Sequence, residues 1–225
     1  MKQYAYYYLE ADLACFIFIA VMFYKIAAGP DKSIKVRAHL WVIASMIAFM
    51  ISDSLWVLAD AGVFSGHPIL FMGINLFNYM SMAASGYIFS IFTEVYVNSE
   101  WVKKRRNRII CAIPMIFNML LIALSAETGL YFTVENGRIT PRPLFSVMVL
   151  LIFIYLIVPF FIVSVKYKKD KYGFHHSEYR AIMIYPLILM VTGFLQVIWW
   201  EIPILCYGVV AANGYDVGVE SLLIY

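Results

Sequence analysis

Charge is scarce in this chain. Aspartate, glutamate, lysine and arginine make up 14% of the 225 residues, while 63% are hydrophobic. Soluble domains run at about a quarter charged and about half apolar. The deficit excludes a disordered chain and argues against an ordinary soluble enzyme. Cysteine is also rare. Cys15, Cys111 and Cys206 all lie in apolar stretches, with neither zinc nor thioredoxin spacing, and read as small buried packing residues. A Cys15–Cys206 disulfide is the less favoured alternative. Long polar stretches are missing too. A membrane-spanning helix takes ~20 mostly apolar residues, so seven would use ~140 and leave too few for a separate folded domain of about 100.

What the chain does have is seven apolar runs. They fall at about 6–26, 39–59, 69–97, 109–126, 143–166, 181–200 and 203–224. The expected fold is all-α: a single polytopic membrane domain over residues 1–225, a seven-transmembrane-helix bundle. The first run carries Glu10 and Asp12 inside it, which a cleaved signal peptide would not, so it reads as a retained span. The seventh is the weakest, interrupted by Asn213, Asp216 and Glu220.

The few basic residues are unevenly placed. Of 17 lysines and arginines, only Lys2, Arg138 and Arg142 lie outside the loops after the first, third and fifth runs. Positive loops stay in the cytoplasm, so the N-terminus is expected outside and the C-terminus inside. Each basic run abuts a span, which topology explains better than nucleic-acid binding. On the outer side, between the fourth and fifth runs, Tyr131 to Thr140 reads as a short β-hairpin. Its turn is Asn136-Gly137, flanked by β-formers.

Polar residues inside a span are costly, so their depth is informative. Asp12, Asp53, Asn75, Asn78, Asn118 and Gln196 all fall in the outer half, with Trp56 at i+3 from Asp53 and Trp200 after Gln196. Helix–helix hydrogen bonding and an interfacial aromatic belt account for such residues singly. Their shared depth favours a ligand pocket open to the outside. No intramembrane lysine or arginine matches Asp12 or Asp53. Such an acid must be protonated, hydrated or met by a cation, and aromatic faces assist a cation. The expected ligand is small, cationic or amphipathic. In the seventh run, Asp216 and Glu220 share a face and are assigned to signal output, while Gly214 and Gly218 form a close-packing pair. Glu94 reads as an ion-pair partner of the basic loops.

Catalytic chemistry is not in evidence. His39 and His67 fall at opposite ends of the bundle, and the adjacent His175 and His176 do not share a helix face, so neither metal nor cofactor is expected. There is no phosphate-cradling loop and no nucleophile elbow. The last lysine is Lys171, before the sixth run, which excludes a retinal Schiff base in the seventh.

Several short patterns occur in a telling order. They are Ser52-Asp53-Ser54-Leu55-Trp56 with Asp60, and Ile74-Asn75 followed by Tyr87, Phe89, Phe92 and Tyr96. Next come Gly129-Leu130-Tyr131-Phe132, Arg142-Pro143, Gly193-Phe194-Leu195-Gln196 and Pro203. In that order the chain resembles the N-terminal seven-helix sensor region of bacterial GGDEF diguanylate cyclases and related sensor histidine kinases. The resemblance implies a sensor in the bacterial cytoplasmic membrane, with the lipid bilayer and an unknown small ligand as partners. It also implies a seventh helix leading to a cyclase or kinase output domain, and signalling as a homodimer. The sequence ends at Tyr225, where such a domain would begin, and contains neither a GGDEF nor a kinase motif. A small-solute transporter or channel is the main rival, and an integral-membrane enzyme a weaker one.

Overall fold

The computed structural model describes residues 3–64, 66–135, 138–169, 176–199 and 201–223, with backbone alone at 135, 138, 176–178 and 215–223. Seven long helices dominate. They are α1 (Gln3–Ala28), α2 (Ile34–Asp60), α3 (Pro68–Tyr96), α5 (Arg105–Thr128), α6 (Phe145–Lys169), α7 (His176–Ile198) and α8 (Ile204–Leu223). The expected runs correspond to them one for one. A further short helix, α4 (Glu100–Lys103), was not expected. It starts at Ser99, whose Oγ accepts from the Trp101 N–H at 3.3 Å.

Local chemistry sets the ends. Ser33 caps α2 by accepting from the Val36 N–H, and Pro68 opens α3, where a missing N–H costs nothing. Gly129 ends α5 at φ +63, a left-handed conformation that glycine adopts without penalty. A Cβ there would also meet Thr133 Cγ2 at 2.8 Å. The chain then enters the hairpin, β1 (Phe132–Glu135) and β2 (Arg138–Pro141), antiparallel with Glu135 opposite Arg138. That register matches the expected two-residue loop, although Asn136 and Gly137 lie outside the described residues.

Helices α1, α2, α3, α6, α7 and α8 close a ring in that order, with α1 returning to α8. Helix α5 packs outside the ring on α3 and α6. Helices α7 and α8 approach closely, and a Cβ on Gly208 would overlap Thr192 Oγ1 and fall 2.7 Å from Thr192 Cβ. The close packing expected at the Gly214 and Gly218 pair falls partly outside the described residues, since the surroundings of Gly218 are not among them. At Gly214 a Cβ would stand 4.0 Å from its nearest neighbour, the Phe18 ring, and the side chains of the remaining turns are outside the described set.

The bundle is apolar on its outside. Tyr24, Ile69, Phe161 and Val191 are all exposed, and five helices (α1, α2, α5, α6 and most of α7) are long and apolar enough to cross a membrane. Aqueous solvent would not tolerate a surface of this kind; lipid would. Helix α3 is the most enclosed. Its buried Asn75, Asn78, Ser81, Ser85 and Ser90 let neighbours approach closely and offer polar contacts. The hairpin marks one end of the bundle, packing Phe132 against Tyr79 and Val134 near Phe71 and Ile74. The basic residues mark the other end, where Lys35 lies over the Tyr96 ring and Lys166 donates to the Val97 carbonyl at 2.8 Å. Glu94 does not act as expected. It is buried, and among the described residues no basic side chain pairs with it; Lys166 donates instead to the Val97 carbonyl.

Candidate functional site

The site grows from one face of α1. Ala5, Tyr8, Asp12, Cys15, Ile19 and Met22 are its buried residues, a run at helical spacing that turns Tyr8 and Asp12 toward α2. Across the seam, Asp53 and Ser54 project from α2. The Tyr8 hydroxyl donates to Asp53 Oδ2 at 2.7 Å, and Ser54 Oγ donates to Asp12 Oδ2 at 2.8 Å. Tyr4 adds a third bond near the helix ends, donating to Asp60. From α3, the Asn78 amide reaches Asp53 Oδ1 and Ser52 Oγ, each at 3.4 Å. From α7, Gln196 donates to the Tyr8 hydroxyl at 3.4 Å and accepts the Leu205 N–H of α8 at 3.1 Å. One carboxylate thus gathers α1, α2 and α3 directly, and α7 and α8 through Tyr8 and Gln196.

This network forms part of the wall of a cavity of about 270 Å³ in the hairpin half of the bundle. All six ring helices line it, and α5 does not. Tyr8, Asp53, Asn78 and Gln196 supply the polar side, with Trp56 and Tyr79 beside them. Methionine, phenylalanine, leucine and valine make up most of the rest. A concave, largely apolar site with a few convergent polar groups is the usual form of a small-molecule pocket.

Of the residues singled out in the sequence, Asp53, Trp56, Asn78 and Gln196 line this cavity together. Asp12 lies behind it, 2% exposed, next to the Cys206 thiol and within electrostatic reach of Asp53. Among the described residues neither acid has a basic partner. Asn75 is also buried, but its amide is turned back to the Phe71 carbonyl of its own helix at 2.7 Å. Asn118 belongs to a different cluster. It donates to the Met148 carbonyl and accepts from the Tyr131 hydroxyl at 3.1 Å, joining α5, α6 and the hairpin. Trp200 and the side chains of Asp216 and Glu220 lie outside the described residues. Cys15 and Cys206 are both free thiols, buried side by side between α1 and α8.

Two features escaped the sequence reading. Tyr8 is central to the network, and its i, i+4 relation to Asp12 was the signal that could have revealed it. The second is a buried polar group in the other half of the bundle. The Asn213 amide donates to the Tyr185 hydroxyl at 3.0 Å, next to the His39 ring. Nothing in the spacing of α2, α7 and α8 announces that meeting.

No protein-family model, curated protein or solved structure matches this chain. The cavity is therefore the main structural guide to what the chain does.

Proposed function

We propose that this chain is the membrane-embedded sensor module of a bacterial signalling protein. It spans the cytoplasmic membrane with seven helices (α1, α2, α3, α5, α6, α7 and α8), the N-terminus and hairpin outside and the basic loops inside. A small ligand binds the cavity in the outer half. Helix α8 carries the change to a cytoplasmic cyclase or kinase output domain, in this polypeptide or in a partner, acting as a homodimer. The positive-inside rule and the resemblance to GGDEF-associated sensor regions support the orientation and the output.

One observation carries the reading. Toward its inner end the lining residues Phe49, Leu156 and Leu189 join a packed core in which Ile43, Phe89, Phe92, Val163, Ile182 and Tyr185 are each at most 1% exposed. A solute path needs polar groups or water through the whole membrane. A pocket closed at its inner end binds without conducting, and that favours a sensor over a transporter or channel. The cavity also touches α8 through Leu205 and Val209. Occupancy can therefore bias the helix that leads to the output, provided the ligand binds its two positions with different affinity.

The test is a chimera in which a diguanylate cyclase domain follows Tyr225 in frame. Asp53→Asn and Trp56→Ala should change product formation severalfold at equal protein level. Trp41→Phe, on the exposed surface, should not. Unchanged output in both cavity variants would remove the sensor assignment, and solute-specific flux into proteoliposomes would replace it with transport.

A further inference from the structure

At the hairpin end of the cavity, hydrogen bonds among the described residues tie together every ring helix except α6. Tyr8–Asp53 joins α1 to α2, and Asn78–Asp53 joins α2 to α3. Gln196–Tyr8 joins α7 to α1, and Leu205–Gln196 joins α8 to α7. Helix α6 lines the cavity with residues such as Met148, Ile152, Phe153 and Leu156, and none of its lining side chains can donate a hydrogen bond. Its seam with α7 is apolar here. Gly193 of α7 lies against Phe153 of α6, where a Cβ would be 3.7 Å from the ring. One turn further toward the hairpin end is Val197, which lines the cavity and is also 70% exposed on the bundle's outer face. The cavity wall therefore reaches the surface that faces lipid, at a place flanked by apolar side chains.

The chemistry inside is just as one-sided. Asp53 is met by neutral donors, Tyr8 and Asn78. Behind it, Asp12 Oδ1 is buried with no hydrogen-bond partner among the described residues. Two acids without a base leave the polar end of the cavity short of positive charge, and Trp56, one turn from Asp53 on α2, lines the same cavity. Deeper in the cavity, Met46, Phe49, Met82, Leu156 and Leu189 offer only apolar contact.

Building on the sensor reading, we propose that the cavity binds an amphipathic monoamine that enters from the bilayer between α6 and α7. Its ammonium group lies at Asp53 beside Trp56, and its single apolar body fills the methionine and leucine walls. The cavity volume of about 270 Å³ suits one short chain or ring and excludes a two-chain phospholipid. Lateral entry follows from the solubility of such an amine. Its apolar body partitions into lipid, so the membrane concentrates it beside an apolar gate.

The probes are n-octylamine, n-octanol and n-octanoate, which share a body and differ in the head. Binding to purified protein in immobilised nanodiscs is read by surface plasmon resonance, with empty nanodiscs subtracted. Octylamine should bind at least about tenfold tighter than octanoate, and Asp53→Asn should remove that preference while octanol binding stays as in the wild type. Retained octanol binding shows that the variant is folded. If Asp53→Asn does not fold, Trp56→Leu serves instead, weakening octylamine severalfold and octanol little. Val197→Trp should slow octylamine association more than it changes the equilibrium. Equal binding of amine and carboxylate, or an amine preference that survives Asp53→Asn, would overturn the ligand class. Unaltered association in Val197→Trp would overturn the lateral route. Neither result touches the sensor reading, which stands or falls on the output of the cyclase chimera.

Discussion

The Tyr155 hydroxyl bridges one turn of α5 next to Pro114. The Met115 N–H donates to it at 3.0 Å, and it donates in turn to the Cys111 carbonyl at 2.6 Å. A proline inside a helix removes one donor and crowds the carbonyl of the preceding turn. In lipid, a backbone group left without a partner costs several kcal/mol, so a side chain from α6 completes the turn. The same contact fastens α5, which lies outside the ring, to α6.

Tyr155→Phe should therefore lower stability by about 1–3 kcal/mol, more than a lost surface hydroxyl would. Thermal unfolding in detergent measures it. A Pro114→Ala background should recover part of the loss, because the helix can then close its own turn.

Gly208→Ala should open the α7–α8 seam, since the new methyl would overlap Thr192 Oγ1 and fall 2.7 Å from Thr192 Cβ. The expected cost is about 1–3 kcal/mol. Adding Thr192→Ala removes the hydroxyl and the γ-methyl but not the β-carbon, so a double-mutant cycle should show partial recovery only.

Tyr131→Phe should loosen the hairpin. The hydroxyl bonds Asn118 Oδ1, and the Tyr131 N–H bonds Ser125 Oγ at 3.1 Å. Losing the first leaves the second in place. Trypsin cleavage after Arg138 should speed up severalfold while the midpoint of global unfolding moves little.

Asn213→Leu should destabilise the end of the bundle opposite the hairpin by about 1–3 kcal/mol. It strips the Tyr185 hydroxyl of the Asn213 donor and leaves polar groups in an apolar core. In the cyclase chimera it should also blunt the response to cavity variants, because α8 loses its hydrogen bond to α7 at that end of the bundle. A full response in this variant would show that the bond takes no part in signalling.

Orientation has its own test. A green fluorescent protein fused after Tyr225 should fluoresce, and alkaline phosphatase inserted between Glu135 and Arg138 should be active. The reverse pair of results would invert the topology.

Much of the architecture was legible in one dimension, and the reason is physical. A span must hide every backbone group and present apolar side chains over a fixed length, and both demands write themselves into consecutive residues. The seven long apolar helices could be read for that reason, and the hairpin from its Asn136-Gly137 turn between β-forming residues. Helix α4 could not, because four residues carry no period. The candidate site was legible only as depth. Asp53, Asn78 and Gln196 share a level in the bundle, and so do Asn75 and Asn118; only helix rotation separates the first group from the second.

The scarcity of charge by itself determined that this chain is a bundle of apolar helices, and the placement of the few basic residues determined which loops lie together. Tertiary structure decided what the rare polar groups do. It turned Asn75 and Asn118 to the service of packing, brought Tyr8 to Asp53, and set α6 against α7 across an apolar seam beside the cavity. Those outcomes depend on the rotation and order of helices around the ring. Packing contacts between residues as far apart as Tyr8 and Gln196 set that rotation, and no local stretch of sequence records it.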